Sequence, residues 1–225
     1  MESYTVGQLS TIVAGVGAVG TAAFGLVDAF KALPGGGISR AGFKFIRETI
    51  LKLAPEVPAL EETGLSRNSL LYTLESQWIN GTAATDQINI AKSLIKLRLT
   101  PETAGPLASA TGVDATLLSQ IAVSIRSATP LTPQQTDVLG RFDLLLTTLL
   151  DQAYQRAAQR YRNWAKAAAV PIAVALALIA AGVTRQITLS EAVLLGLIAT
   201  PVAPVAKDIS SAISTAAQAI QSWKS

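Results

Sequence analysis

Cysteine and histidine are both absent from this 225-residue chain. That removes disulfides and thiolate chemistry, and nearly all zinc, haem and iron–sulfur ligation. It also removes the side chain most used as a general base near neutral pH. Charge is scarce, at 15% of residues, where a soluble domain carries about 25%. Aromatic residues make up only 5% although half the chain is apolar. The mean hydropathy of +0.40 therefore comes from Ala, Leu, Ile and Val, the usual filling of membrane helices. A basic n-region is lacking as well. Glu2 is the only charged side chain before Asp28, and the apolar run around it is too long for an h-region, so no cleavable signal is expected.

Against these absences stand three uncharged runs. Leu9–Val27 holds nineteen residues, Ala167–Thr184 eighteen and Ala192–Ala206 fifteen. A spanning helix needs roughly 20 mostly apolar residues. The first two runs meet that length, and the third meets it when Ile187–Glu191 are counted with it. Pro171 falls in the first turns of the second run, and Pro201 and Pro204 should kink or end the third.

The first run contains Gly15-Val16-Gly17-Ala18-Val19-Gly20, a match to G-x-G-x-x-G. A dinucleotide-binding turn needs a strand before it and an acid about 20 residues beyond it. Neither is present, for Gly35–Phe45 has no acid and no stretch alternates as a strand does. The same segment spaces Ala14, Ala18 and Ala22 by four, and likewise Gly17, Thr21 and Gly25. Small residues at that spacing let membrane helices approach closely. These six are the expected helix-packing residues.

Cations set the expected orientation. Lys31, Arg40, Lys44, Arg47 and Lys52 follow the first run, and Arg156, Arg160, Arg162 and Lys166 precede the second. Both clusters belong to the connection between those runs. The positive-inside rule places residues 31–166 in the cytoplasm, with the N-terminus and Arg185 outside. Lys44, Arg47, Lys52, Arg156, Arg160, Arg162 and Lys166 are the expected headgroup contacts, each adding about 1 kcal/mol near an anionic surface. Tyr154, Tyr161 and Trp164 are expected at the cytoplasmic interface.

Between the runs every segment reads as helix. The Pro34–Gly37 break is followed by Ser39 as a start signal, then Ser66, Thr85 or Asp86, Thr100, Asp114 and Thr132. Asn80-Gly81 and Gly112 are stops. From Gln134 to Ala181 the only glycine is Gly140 and the only proline Pro171. This predicts one helix of about 50 residues, roughly 75 Å long, linking head and bilayer. Beyond Lys207, Ile209, Ile213, Ala216, Ile220 and Trp223 suit an amphipathic tail helix.

Leu107–Ile121 (LASATGVDATLLSQI) resembles the helix-turn-helix of phage-repressor-type DNA-binding proteins, and Leu60–Leu71 does so more loosely. The resemblance implies a recognition helix from Asp114 offering Ala115, Thr116, Ser119 and Gln120. Charge opposes DNA binding, because residues 53–151 hold six cations against ten acids and phosphate neutralisation supplies most non-specific affinity. Catalytic patterns are equally thin. Glu61-Glu62 reads as a solvated face, Asp137 and Asp143 share no helix face, and Ser93-x-x-Lys96 lacks the partner motifs of acyl transfer. Asn80-Gly81-Thr82 is a glycosylation sequon that reads better as a turn. Asp28 and Glu191 sit at span ends, where Lys31 and Arg185 suit them as partners.

The expectation is an all-α membrane protein with three transmembrane helices and a cytoplasmic multi-helix head between the first and second. Its parts are residues 1–33, the head at 34–165, a membrane hairpin at 166–206 and a tail helix at 207–225. The expected role is a non-catalytic integral membrane subunit or anchor of a larger assembly, in a bacterial inner membrane. Expected partners are lipids and other membrane subunits or further copies of the chain. No cofactor, metal or nucleic acid is expected, and no small-molecule substrate is identified. The alternative is a membrane-tethered regulator or sensor with a helix-turn-helix-like head, and behind it an oligomeric pore.

Overall fold

The computed structural model describes residues 6–30, 37–185 and 187–203. The amphipathic tail expected at 207–225 lies outside them, as do Lys31, Pro204 and Lys207. Among the described residues there is no strand. The helices are α1 (Val6–Phe30), α2 (Gly37–Leu53), α3 (Pro58–Glu61), α4 (Arg67–Asn80), α5 (Ala84–Leu97), α6 (Pro101–Thr111), α7 (Ala115–Arg126) and α8 (Pro133–Thr184). They are followed by α9 (Leu189–Ala203). The all-helical class expected from the helix start and stop signals is therefore observed among the described residues. Two helices, α1 and α8, are long and apolar enough to cross a membrane, and α9 is shorter.

Local chemistry explains most helix ends. Ser66 caps α4 by accepting from Ser69 N at 3.1 Å, and Gly81 closes the helix at φ 73°. A left-handed residue at that position costs glycine little because it has no Cβ. Thr100 and Thr103 form a reciprocal capping box on α6, and Gly112 ends the helix at φ 72°. Asp114 accepts from Leu117 N at 2.8 Å to start α7. Thr132 and Gln135 exchange bonds at the start of α8 (3.2 and 2.9 Å). Each such cap satisfies amides that a helix start leaves without partners.

Two expected starts are corrected. Ser39 is buried inside α2, which begins at Gly37. Ala83, not Thr85 or Asp86, is the N-cap of α5, and no side chain bonds there. Pro at a first helical position also starts α3, which the residue pattern did not show.

The described residues fall into two compact units, divided before α2 and within α8 at Tyr161/Arg162. The head unit holds α2 to α7 and the first part of α8. Its core joins Phe43, Ile46 and Ile50 of α2, Leu70 and Leu74 of α4, Ile95 of α5, Leu107 of α6 and Phe142, Leu146 and Leu150 of α8. Gly42 lies where α2 crosses α8. A Cβ there would sit 2.7 Å from Ala157 O and 2.9 Å from Trp78 Cζ2, so only hydrogen fits.

Tyr154 corrects another expectation. It is 1% exposed, belongs to the head core and packs its ring 6.2 Å from that of Trp78, so it is no interfacial residue. Burial pushes its phenol pKa above the ordinary value. Its hydroxyl has no hydrogen-bond partner, and a buried donor without one carries an uncompensated desolvation cost. Removing that oxygen should be harmless. Tyr154→Phe is expected to leave the urea midpoint unchanged or to raise stability by up to about 1 kcal/mol. A loss of more than about 1 kcal/mol would mean that the hydroxyl is bonded after all.

The other unit holds α1, α8 from Arg162 onward, and α9. Its packing rests on small residues. Ala165, Ala169, Ala173, Ala177 and Ala181 recur every fourth residue on α8, and all are buried. Ala177 and Ala181 cluster with Ala192 of α9. Gly196 lets α9 lie against the α8 backbone, where a Cβ would stand 2.4 Å from Val174 Cα. Gly20 of α1 meets α9 in the same way, with Ala199 and Ala203 beneath it. Pro171 sits within α8 and does not end it.

Candidate functional site

A chain without His or Cys can offer carboxylates, amines, guanidinium groups and hydroxyls. The head arranges these in three places. The first is a fastening around Arg98, whose side chain is fully buried. Its guanidinium donates to Leu65 O and, at 2.6 Å, to Pro55 O. Glu61 lies 3.6 Å from the same group. Glu61 also accepts from Arg67 N at 3.4 Å, and Arg67 pairs with Glu56 at 2.6 Å. These bonds tie residues 55–67, including α3, to the end of α5. Glu61 is thus half of an ion pair and no solvated face, while Glu62 is exposed. With its guanidinium fully buried and bonded to two backbone carbonyls, Arg98 acts as a structural clamp.

The second place joins α5 to α8. Lys92 donates to Asp143 Oδ2 at 3.1 Å, and Lys96 pairs with Asp143 Oδ1. Burial alone would raise the Asp143 pKa. The hydrogen bonds and charges of Lys96 and Lys92 outweigh that and hold the carboxyl below its ordinary value. Ser93 bonds Asn89 O at 2.8 Å, so the Ser93–Lys96 pair is not an activated nucleophile.

The third place is a cleft of about 550 Å³ bounded by α2, α6 and α8. From α2 come Phe45, Glu48, Thr49, Lys52 and Leu53; from α6, Pro106, Ser109 and Ala110; from α8, Leu149, Gln152, Ala153 and Arg156. The helical period explains the arrangement. Phe45, Thr49 and Lys52 lie on one face of α2, and Leu149, Gln152 and Arg156 on one face of α8. The floor is apolar and the rim polar. Glu48 lies 3.8 Å from Lys44, one turn back on its own helix. Lys52 and Arg156 have no ion-pair or hydrogen-bond partner among the described residues.

Of the expected headgroup cations, the structure brings Lys52 and Arg156 together at this cleft and leaves Lys44, Arg47, Arg160, Arg162 and Lys166 exposed elsewhere. Of the expected packing residues on α1, Gly17 is buried, while Ala14, Ala18, Thr21, Ala22 and Gly25 are exposed within the single chain. The face that α1 buries runs through Gly17, Gly20, Ala23 and Val27. The buried alanine ladder of α8 is a four-residue repeat from Ala165 to Ala181 that is also legible in the sequence.

The helix-turn-helix-like segment is an αα-corner: α6 ends at Gly112, and Asp114 starts α7. Ala115, Thr116 and Gln120 are exposed, with no cation among them. Asn80-Gly81 is the α4 stop. No group of three or more metal-ligating side chains occurs among the described residues.

Among the described residues the protein is all-helical, with two helices long and apolar enough to cross a membrane. No family model, curated protein or solved structure matches the chain.

Proposed function

We propose that the chain is a non-catalytic integral membrane subunit that anchors or organises a larger assembly. One observation carries the reading: the apolar helices keep large uncovered faces. Leu26 and Phe30 on α1, Ile179 and Val183 on α8, and Leu194 and Ile198 on α9 are each more than a third exposed. In water such contiguous apolar surface marks a site for lipid or protein contact. Lipid satisfies it, and the exposed small residues Ala14, Ala18, Ala22 and Gly25 on α1 leave room for a further helix. The missing His and Cys and the occluded Arg98 clamp favour a binding role over chemistry.

In this reading three segments span the bilayer, the one containing α9 among them. The cations of 40–52 and 156–166 hold the head on the cytoplasmic side of a bacterial inner membrane. The test is fractionation followed by purification in mild detergent. The chain should stay with membranes through an alkaline carbonate wash, then elute with a partner or as an oligomer. Recovery from the detergent-free supernatant as a discrete particle would end the membrane reading. A lone monomer in mild detergent would end the assembly reading.

A further inference from the structure

The α2–α6–α8 cleft has a composition that the rest of the head does not share. Outside the cleft, residues 36–161 carry ten cations against ten acids, whereas the cleft rim holds Lys52 and Arg156 against Glu48 alone. Glu48 is engaged by Lys44 at 3.8 Å. The two rim cations come from different helices and have no partner among the described residues. Thr49, Ser109 and Gln152 add hydrogen-bonding groups on the same rim. Below them Phe45, Leu53, Ala110 and Leu149 give an apolar floor. At about 550 Å³ the cleft falls within the size range of small-ligand sites.

We infer that this cleft binds an anionic amphiphile, a phosphate head paired by Lys52 and Arg156 with a short apolar body on the Phe45–Leu149 floor. Phosphate suits the pair because a guanidinium donates in a fork and an ammonium as a point charge, and together they can neutralise up to two negative charges. The same head chemistry is supplied by an acidic phospholipid or by a soluble organic phosphate. The inference stands on the head alone and does not require the anchoring role, so failure of either leaves the other standing.

The test titrates the full chain, in an uncharged detergent, with dihexanoyl phosphatidic acid, dihexanoyl phosphatidylcholine and inorganic phosphate, subtracting the protein-free heat. Phosphatidic acid should bind saturably at one site per chain, with phosphatidylcholine and inorganic phosphate at least about tenfold weaker. Lys52→Gln with Arg156→Gln should weaken phosphatidic acid by about tenfold or more, as loss of charge-assisted bonds requires. Arg47→Gln with Arg141→Gln, which removes equal charge from exposed positions that do not line the cleft, should change little. Ser109→Trp keeps both cations but fills the cleft, and should abolish binding. Absence of saturation overturns the site, as does equal weakening by both charge variants or full affinity in Ser109→Trp. Equal affinity for inorganic phosphate overturns the amphiphile and leaves a soluble anion as the ligand. Equal affinity for phosphatidylcholine overturns the role of the cations.

Discussion

Arg98→Ala is expected to destabilise the head by about 2–4 kcal/mol, since two backbone carbonyls lose their donor at about 1–3 kcal/mol each. The residue is fully buried. Its loss leaves the carbonyls of Leu65 and Pro55 without their donor and Glu61 without its cation. Water cannot readily replace the guanidinium, because the site lies beneath the 55–67 segment that Arg98 itself holds down. A domain's whole stability is about 5–15 kcal/mol, so such a loss is a large share of it. Arg98→Lys should fall between parent and Ala, since one ammonium cannot reproduce the fork that spans two carbonyls. Urea unfolding followed by far-ultraviolet circular dichroism checks the size of the effect. Hydrogen exchange checks its place, since amides of 57–66 should lose protection before those of Ile46–Ile50 or Leu146–Leu150. A change below about 0.5 kcal/mol, typical of unremarkable surface positions, would show that the clamp contributes nothing net.

The same residue shows where sequence reasoning runs out. Ser66, Thr100, Asp114 and Thr132 were legible as helix starts because each bonds an amide three residues on. A rule that acts over three residues can be read in three residues. Arg98 bonds across 33 and 43 residues, and in the sequence it looks like any cation at a helix end. Tyr154 misled for a related reason. An aromatic residue near an apolar run suits a membrane interface, and only the approach of Trp78 from another helix shows that it is core. Thr85 and Asp86 were expected to start α5, but the N-cap is Ala83, which offers no side-chain acceptor and so leaves no signal in the sequence.

The cleft lies between these cases. That Lys52 and Arg156 belong to basic clusters was plain from the sequence. That they meet over one apolar floor depends on α2, α6 and α8 packing together, and Gly42 permits part of that packing by letting α2 approach Ala157. Glycine is again informative by what surrounds it and not by motif. The G-x-G-x-x-G match contains Gly15, beside which a Cβ would meet nothing within 4 Å, and Gly20, beside which it would meet the Ala199 carbonyl. The motif treats them alike, but the packing does not.

The second large effect is expected at Gly196. Gly196→Leu should separate α9 from α8. A Cβ there falls 2.4 Å from Val174 Cα, 2.8 Å from its N and 3.0 Å from Ala173 O. All three are backbone atoms within a long helix, so no side-chain rotation relieves the overlap. The helices must move apart, and the Ala177–Ala181–Ala192 cluster then loses its close contacts. Between membrane helices those contacts carry the association, since lipid is as apolar as the side chains and offers no hydrophobic drive. Overpacking of this kind costs about 1–3 kcal/mol, and more where backbone must shift. Gly182→Leu is the matched control, because a Cβ there meets nothing within 4 Å. The absence of cysteine makes the measurement direct. In a chain carrying Ala177→Cys and Ala192→Cys, oxidation should join the two positions readily. The yield should persist with Gly182→Leu and fall about tenfold with Gly196→Leu, the population change that 1.4 kcal/mol produces. Equal yields in all three chains would mean that α8 and α9 are held by their short connection alone, and the glycine crossing would then be incidental to the hairpin.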